Sequence, residues 1–323
     1  MRGDGTVRVG VIGRGFGQAV VAPMFDEAEG SAVVDVVSPR DEDTVRELCA
    51  RHDVDLIAVH APPFLHRVCV DHALDAGKAV ICDKPFGRNA ADATAMADHA
   101  AATDAVALLN FEFRHHPGRM RLRELVLDGA IGDVRHVQWS VFGSGFVRRR
   151  WGWLFDAELG GGWIGAWGSH VIDFLRWTFG EIDDAAGERR TLVTERPDRE
   201  GAMHQCTAED SFTARLHTTS GVSVTIDTSF VTPANVPPRV LVIGSEGVLE
   251  VLADVRITRR TLEGSEELFV LEPAPKDEDP HFVPMRGWVP AVIDAVRNGA
   301  VPNGEPTFAD GLACATVMDQ LRA

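Results

Sequence analysis

The sequence contains no tyrosine, and it has three lysines (Lys78, Lys84 and Lys276) against twenty-nine arginines. The absence of tyrosine excludes any mechanism in which a phenol donates the proton. The low lysine count is informative because an amine can lose its proton, whereas a guanidinium cannot. A lysine in such an arginine-rich chain therefore marks a candidate position for proton transfer, and Lys84 is the first such candidate.

Basic charge, cysteine and long apolar runs are also scarce. The formal net charge of −16 argues against non-specific binding to nucleic acids or acidic membranes, since such binding requires a basic face. No apolar run approaches the ~20 residues of a membrane span. We therefore expect a cytoplasmic protein with no nucleic-acid or membrane partner. Its five scattered cysteines are expected to be reduced core thiols: Cys49, Cys69, Cys82, Cys206 and Cys314.

The length of 323 residues predicts about two domains. Up to about residue 114, apolar strands alternate with helices, which predicts a parallel sheet with helices on both faces. Beyond that point, alternating segments are separated by Ser-Gly and Gly-Ser-Glu-Gly turns, which predicts an open, mostly antiparallel sheet covered by helices on one face. The expected fold class is thus α/β followed by α+β, with domains at 1–114 and 115–323.

Several elements of the second domain are predicted from local pattern. One helix is expected over Trp163–Phe179, and a strand is expected over Thr191–Glu195. Two further helices, Val289–Asn298 and Ala309–Arg322, are expected to close the chain within this domain.

A glycine-rich turn joins the first strand to the first helix. Gly13, Gly15 and Gly17 allow a tight turn and close approach of backbone to a pyrophosphate, which the helix N-terminus then attracts. Gln18 stands where a strict GxGxxG pattern has its third glycine. Together with Phe16, these residues predict a dinucleotide site in a Rossmann-type domain; the alternative is a tight structural turn.

The end of the second strand bears on which dinucleotide is bound. A carboxylate there would bind the ribose diol of NAD, whereas serine or arginine accepts the additional phosphate of NADP. The strand ends in Ser38 and Arg40, and the nearest acid, Asp35, lies inside the strand. We expect NADP, with NAD as the alternative; the other interpretation is that Ser38 starts a turn and Arg40 is solvated.

Asp83-Lys84-Pro85 lies just past the carboxyl end of a parallel strand, where open α/β sheets bind their ligands. Pro85 favours an extended conformation at Lys84 and so directs its side chain. An amine beside a nicotinamide can donate a hydrogen bond to a carbonyl or hydroxyl oxygen and stabilise charge that develops there. The alternative is a lysine that merely caps the strand end.

Three glycines, 160–162, lead into a helix that carries His170 and Asp173. Glycine inside a helix costs about 1 kcal/mol, so its repeated use suggests that something flat approaches this backbone closely. His170 and Asp173 are three residues apart and share one helix face, so Asp173 can orient the imidazole. The alternative is an ordinary core histidine.

Six of the seven tryptophans lie between residues 139 and 177. Indole faces suit the apolar faces of sugar rings, and tryptophan is also a common core residue. Trp151, Trp153 and Trp163 are therefore candidate substrate contacts or core residues.

Three consecutive arginines, Arg148 to Arg150, follow the Gly143-Ser144-Gly145 segment. Guanidinium groups suit an anionic substrate group, and a solvated loop or an interdomain salt bridge is the alternative. No metal-ligand motif, Walker loop or nucleophile elbow is present, and we assign no metal.

Taken in order, six segments resemble the Gfo/Idh/MocA family of NAD(P)-dependent oxidoreductases over nearly the whole chain. None would suffice singly. They are the glycine turn, residues 55–66, 76–85, 110–117 and 129–132, and the stretch from Gly160 through His170 to Asp173.

The resemblance implies a role for several residues. Lys84 corresponds to the family's catalytic lysine, in a motif that is more usually Glu-Lys-Pro, and His170 to its active-site histidine. Hydride is expected to pass between the nicotinamide and a carbinol carbon of a sugar-like, cyclitol or polyol substrate while these two residues handle the hydroxyl proton. Pro62 and His66 are expected to line the cofactor pocket, and Asp83 is a further expected cofactor-binding residue. Arg114 is a further expected substrate contact, and the open sheet face is expected to form a homodimer or homotetramer.

Two departures from the family pattern leave alternatives open. Ala166 stands where the family often has an aspartate, one helical turn before His170, and the stretch 38–53 is short by one strand–helix unit. A non-catalytic NADP-binding ligand sensor and an NAD-dependent glycosidase of the same family are therefore kept beside the dehydrogenase.

Overall fold

The structure is a computed structural model that describes residues 5–272, 274–275 and 278–323. The chain divides into two units: Met1–His115 with Lys276–Thr316, and His116–Pro275 with Val317–Ala323. The first boundary is within one residue of the expected one. The return of 276–316 to the first unit differs from the sequence expectation, because this pairing depends on contacts distant in sequence.

Strands and helices alternate through the first third of the chain, as its pattern of apolar strands and helices predicts. A π-helical turn at Gly17–Val21 precedes the first α-helix. The elements in order are β1 Val7–Ile12, α1 Ala22–Glu27, β2 Ser31–Val37, α2 Glu42–Ala50, β3 Leu56–Val59, α3 Pro63–Asp75, β4 Ala79–Cys82, α4 Ala90–Ala101 and β5 Ala107–Leu109.

Strands dominate the remainder of the chain. The elements are α5 Pro117–Leu127, β6 Val134–Phe142, α6 Ser169–Phe179, β7 Ile182–Arg190, β8 Glu195–Pro197, β9 Met203–Gln205, β10 Ser211–Thr218, β11 Ser223–Ser229, β12 Val236–Gly244, β13 Val248–Leu252, β14 Arg256–Thr261, β15 Gly264–Val270, α7 Phe282–Asn298 and α8 Phe308–Arg322.

The first unit is built on a parallel five-stranded sheet in the order β2-β1-β3-β4-β5. Its buried apolar strands pack against α1 and α7, and Trp288 and Val292 of α7 are part of that core. Because β2 and β3 lie on opposite sides of β1, the strand order reverses there. The carboxyl ends of β1 and β3 therefore flank the position where open α/β sheets bind ligands.

The second unit is built on an eight-stranded sheet in the order β15-β14-β13-β12-β6-β11-β10-β7. It is antiparallel except for the parallel pair β6 and β11. Buried and exposed residues alternate along β10, so one face is covered and the other is exposed. On the covered face, Trp139 of β6 packs edge-on against Phe174 of α6 at 5.6 Å. The expected fold class is confirmed.

Local pattern failed at several elements of the second half. The expected strand Thr191–Glu195 is wrong: the edge strand is β7, whose mostly polar, exposed residues carry no apolar alternation. Helix α7 begins at Phe282 rather than Val289 and contains Pro290. The expected helix Trp163–Phe179 is divided into a π-helical turn, Ile164–Gly168, and α6.

Among the described residues, no helix is both long enough and apolar enough to cross a membrane. All five cysteines are buried, and none of them forms a disulfide bond with another described residue.

Candidate active site

The glycine turn after β1 is shaped by its contact with the end of β3. Gly13 has φ +151°, and its amide donates to the Val37 carbonyl at 2.9 Å. A Cβ at Gly13 would lie 2.3 Å from the carbonyl oxygen of His60. Only glycine fits there, because no side-chain atom can be accommodated at that distance.

Gly17 and Gly15 face different surroundings. A Cβ at Gly17 would lie 3.1 Å from the Cβ of His60, so this position packs tightly on β3, whereas a Cβ at Gly15 would meet no atom within 4 Å. Phe16, between them, packs against the rings of His60 at 5.8 Å and His281 at 4.9 Å. The turn therefore packs against β3 at Gly13 and Gly17 and is open at Gly15. The backbone at Gly15 is accessible to a ligand.

The end of β2 presents Ser38 and the exposed Arg40. The Ser38 hydroxyl accepts a hydrogen bond from the Arg40 amide at 3.3 Å, which shapes the turn. Asp35 lies within β2 and pairs with Arg51 at 3.2 Å. The carboxylate nearest the strand end is therefore already engaged in an ion pair.

The end of β3 carries Pro62 and, one helical turn on, His66. Pro62 is partly exposed and precedes the first turn of α3. The fully buried His66 donates from Nε2 to the Ala61 carbonyl at 2.7 Å. Burial lowers the pKa of His66 to about 4, against the opposing effect of Asp83. His66 is thus a neutral imidazole that supports the strand end from beneath.

Asp83 fixes the backbone that carries Lys84. Its Oδ1 accepts hydrogen bonds from the Lys84 amide at 2.9 Å and from the Asn110 side chain at 3.2 Å. The Trp288 indole in turn donates to the Asn110 side-chain oxygen at 2.9 Å. The Lys84–Pro85 bond is cis. Lys84 itself is partly exposed at the carboxyl end of β4.

His60 is a site residue that the sequence analysis did not single out. Its side chain is fully buried, and Nδ1 lies 3.6 Å from Oδ2 of Asp83. Burial acts to raise the pKa of Asp83, but His60, with smaller contributions from Lys84 and His66, outweighs it and holds that pKa well below its ordinary value. His60 could have been identified from the sequence, because it is a polar residue directly after the apolar run of β3.

The second unit places His170 and Asp173 in α6, and both are buried. Their shared helix face agrees with the expected spacing, and orientation of the imidazole by Asp173 stays a prediction. Ala166 lies in the π-helical turn before α6 and is partly exposed.

Two of the glycines before α6 are in close contact with other groups of the protein. Gly162 has φ +108°, and a Cβ there would lie 2.2 Å from Oε1 of Glu209. That oxygen accepts a hydrogen bond from the Ile164 amide at 3.0 Å, and so caps the helix start. A Cβ at Gly161 would lie 2.5 Å from the Leu154 carbonyl. At these two glycines, the expectation of an approaching flat ligand is wrong, because internal groups make the close approach.

The tryptophans differ in their surroundings. Trp163 is stacked between Phe230 at 4.0 Å and Trp167 at 5.6 Å, and its indole donates to Thr228 at 2.9 Å. This packing accounts for Trp163 as a core residue. The partly exposed Trp151 stacks on His204 at 4.3 Å.

Two further candidate contacts occupy separate units. Trp153 opens a short 3₁₀ turn of the second unit and is partly exposed. Arg114, in the first unit, is buried in an ion pair with Asp310 at 3.0 Å and donates to the Gly304 carbonyl. This pairing gives Arg114 a structural role. In the described part of the chain, no group of three or more His, Cys, Asp or Glu side chains is arranged to hold a metal ion.

Two family models match the chain. One, described as an oxidoreductase family with an NAD-binding Rossmann fold, matches residues 7–111, and the other, the GFO/IDH/MocA C-terminal domain, matches residues 120–250. The chain belongs to the Gfo/Idh/MocA family. The resemblance expected from the six sequence segments is therefore confirmed, and the first unit of this Gfo/Idh/MocA protein is its NAD-binding domain.

Similar proteins support this membership. An uncharacterized oxidoreductase of Synechocystis sp. is 30% identical over 222 residues, which cover 63% of this chain and 60% of that protein. An oxidoreductase domain protein from Kribbella flavida has a TM-score of 0.85 at 24% identity, covering 98% of this chain and 96% of the other. A levoglucosan dehydrogenase complex with NADH has a TM-score of 0.84 at 19% identity with the same coverage. At these identities, the structural likeness shows the fold alone.

Proposed function

We propose that this Gfo/Idh/MocA protein transfers hydride between a nicotinamide dinucleotide and a secondary alcohol or ketone of a sugar-like, cyclitol or polyol substrate. The observation that carries the proposal is the arrangement at the carboxyl edge of the first sheet. The glycine turn follows β1, and Lys84 follows β4, two strands away in the sheet order. A dinucleotide and a proton donor thus belong to the same sheet edge.

The residues of the turn fit a dinucleotide. Gly13 and Gly17 bring the backbone against β3, and the space beside Gly15 allows a phosphate to approach the amides at the following helix start. Phe16 lies within the turn, and Pro62 follows β3, the strand next to β1 in the sheet. When bound, the nicotinamide supplies the hydride donor or acceptor.

The protein's own groups handle the proton. Lys84 donates a hydrogen bond to the reacting oxygen and stabilises charge that develops on it, while Asp83 holds the Lys84 backbone in place. We assign to His170 the exchange of the hydroxyl proton and to Asp173 the orientation of its imidazole. Trp151 and Trp153 are proposed to offer their ring faces to the substrate.

We propose NADP as the preferred dinucleotide. Arg40 is exposed at the end of β2 beside Ser38, and Asp35 is occupied by Arg51. Arg40→Ala is expected to lower kcat/KM for NADPH about tenfold and to leave that for NADH nearly unchanged, because only the additional phosphate is contacted. A wild-type preference for NADH would assign NAD instead.

The exposed face of the second sheet is proposed to pair with a second copy, giving a homodimer or homotetramer. Its exposed residues are mostly polar and carry both charges: Arg215 lies beside Thr225, and Thr213 lies between Glu188 and Asp227. The buried cysteines, which form no disulfide with a described residue, are in keeping with a cytoplasmic location.

The test of the function is transfer of deuterium from the nicotinamide C4 position to product. The protein is incubated with labelled NADPH or NADH and a panel of ketoses, inososes and sugar lactones, and product mass is measured. Label in the product supports the proposal. In a parallel incubation with aryl glycosides, release of the aglycone without net cofactor consumption would instead support a glycosidase.

Ala166 favours a second candidate, a ligand sensor that binds NADP without turnover. One turn before His170, it offers no carboxylate for a proton relay. This candidate is supported if the cofactor binds and a sugar changes its affinity, but no deuterium is transferred.

A further inference from the structure

The basic loop, residues 144–150, follows β6 and ends in three exposed arginines: Arg148, Arg149 and Arg150. None of the three forms an ion pair with a residue that the structure describes. Some arginines of the second unit are paired, for example Arg121 with Glu124 at 3.1 Å and Arg259 with Glu266 at 2.8 Å. Unpaired arginines occur elsewhere as single residues, but in a chain with a net charge of −16, three consecutive ones form a local concentration of positive charge.

The basic loop is held rigidly by the fold. The Ser144 amide and hydroxyl both donate to the Asn235 side-chain oxygen, at 2.8 and 3.0 Å. The Phe146 amide donates to the Phe230 carbonyl at 2.9 Å. A Cβ at Gly145 would lie 2.2 Å from the Phe230 ring, so the loop packs against that ring. Its backbone is therefore fixed before any ligand arrives, which lowers the entropy cost of binding.

Arg196 adds a buried positive charge beneath the basic loop. Its side chain is 2% exposed, and Nη1 donates to the carbonyl oxygens of Phe146 and Arg149. Nε and Nη2 are buried and have no hydrogen-bond partner among the described residues. The guanidinium lies over the Phe155 ring at 4.0 Å. A buried cation without a carboxylate partner is costly, so a negative group close by would be stabilised.

The nearby acidic side chains are already engaged. The Asp198 carboxylate pairs with His204 at 2.6 Å, and Glu195 accepts a hydrogen bond from Gln205. Neither carboxylate forms an ion pair with Arg196 or with the loop arginines in the described part of the chain.

The basic loop lines an open depression of about 570 Å³. Its wall includes the first two of the loop arginines, and the room is sufficient for a small anionic molecule. The lining residues are Ser144, Gly145, Val147, Arg148, Arg149 and Pro233. On its inner side, Phe146 packs edge-on against Trp163 at 5.3 Å. The loop is thus continuous with the aromatic cluster at the start of the segment that leads to His170.

We propose that the basic loop binds the carboxylate or phosphate group of a small molecule, and that the substrate of the proposed reaction is an anionic sugar derivative. Arg148 and Arg149 bind the anionic group from the loop, and Arg196 stabilises it through the field of its buried charge. The substrate assignment rests on the proposed function, whereas the anion site does not.

The binding arm of the test needs no turnover. Affinity for inorganic phosphate and for acetate is measured by calorimetry at constant ionic strength, in the wild type and in Arg148→Ala/Arg149→Ala. The double variant is expected to bind about tenfold more weakly or worse, because two charge-assisted contacts are lost. Preference for phosphate or for acetate identifies which anionic group the site takes.

Two further variants separate recognition from structure. Arg121→Ala/Arg259→Ala removes the same charge from arginines that are already paired, and it is expected to bind both anions as the wild type does. Arg148→Lys/Arg149→Lys is expected to recover most of the phosphate affinity, since a lysine ammonium binds phosphate as a point charge. Equal losses in the alanine and control pairs, no rescue by lysine, or no anion binding by the wild type would overturn the anion site.

The kinetic arm compares kcat/KM for a hexonate or hexose phosphate with that for the neutral hexose. The alanine pair is expected to lose about tenfold on the anionic compound and little on the neutral one. Equal kcat/KM values on the two compounds in the wild type overturn the substrate assignment. If no compound is turned over, the proposed function fails, and the binding arm still decides the anion site.

Discussion

Nδ1 of His60 lies 3.6 Å from Oδ2 of Asp83, and the other oxygen of the same carboxylate accepts the Lys84 amide at 2.9 Å. One partly exposed carboxylate therefore links the end of β3 to the backbone of the proposed proton donor. Because Asp83 is held ionised by its surroundings, it can accept both contacts at once.

A double-mutant cycle measures this link. His60→Ala and Asp83→Asn are each expected to destabilise the protein, and together by less than the sum, with a coupling of about 1–3 kcal/mol. Urea unfolding of the four proteins gives the values. Strict additivity would mean that the two side chains do not interact.

Gly13→Ala and Gly15→Ala form a matched pair within one turn. Gly13→Ala is expected to lower the free energy of unfolding by several kcal/mol, since the new Cβ would meet the His60 carbonyl at 2.3 Å. Gly15→Ala meets no atom within 4 Å, so it is expected to leave Tm unchanged and to weaken dinucleotide binding. Thermal unfolding and fluorescence titration with NADPH separate the two effects. Unaltered dinucleotide affinity in a folded Gly15→Ala protein would show that this side of the turn carries no ligand.

His66 predicts a pH dependence of stability. Its folded pKa of about 4 lies below the ordinary value of 6.5, so between these values the unfolded chain binds a proton that the folded chain does not. The free energy of unfolding therefore falls as pH drops through this range, by up to about 3 kcal/mol from His66 alone. His66→Gln keeps a donor for the Ala61 carbonyl but cannot titrate. Its unfolding free energy is expected to fall less steeply than that of the wild type, and equal slopes would contradict the assignment.

The start of α6 offers a second cycle. Gly162→Ala is expected to be strongly destabilising because its Cβ meets the Glu209 carboxylate, and Glu209→Ala to cost about 1 kcal/mol through loss of the Ile164 cap. The double variant is expected to be more stable than the sum predicts, since shortening Glu209 removes the clash. If the double variant loses as much unfolding free energy as the two single variants together, or more, the strain in Gly162→Ala does not come from the contact with Glu209.

Much of the fold was predictable because buried strands have characteristic patterns of apolar residues in the local sequence. The strands of the first sheet are apolar runs ended by turn residues, and β10 alternates between the covered and exposed faces, as its pattern indicates. The edge strand β7 was missed because an exposed edge needs no apolar residues. The return of 276–316 was missed because the contacts of Trp288 with the first sheet join positions far apart in sequence.

The candidate site was predicted where a residue type carries the chemistry. Lys84 and the glycines belong to recognisable sequence motifs. His60 and Glu209 do not, because they contact residues that are distant in sequence. No local sequence pattern indicates that His60 lies beside Asp83 or that Glu209 lies beside Gly162. Trp163 and Arg114 illustrate the reverse case. Their chemistry suited a substrate, but their stacking and ion pairing already account for them.

The most direct measurement is the single-turnover rate of hydride transfer in Lys84→Met and Lys84→Arg, together with the Kd for NADPH. Methionine removes the donor, and arginine keeps the charge but cannot release a proton. Both variants are expected to bind NADPH within about threefold of the wild type and to lose about 10²–10⁴-fold in rate. Transfer at the wild-type rate in Lys84→Met would contradict the account.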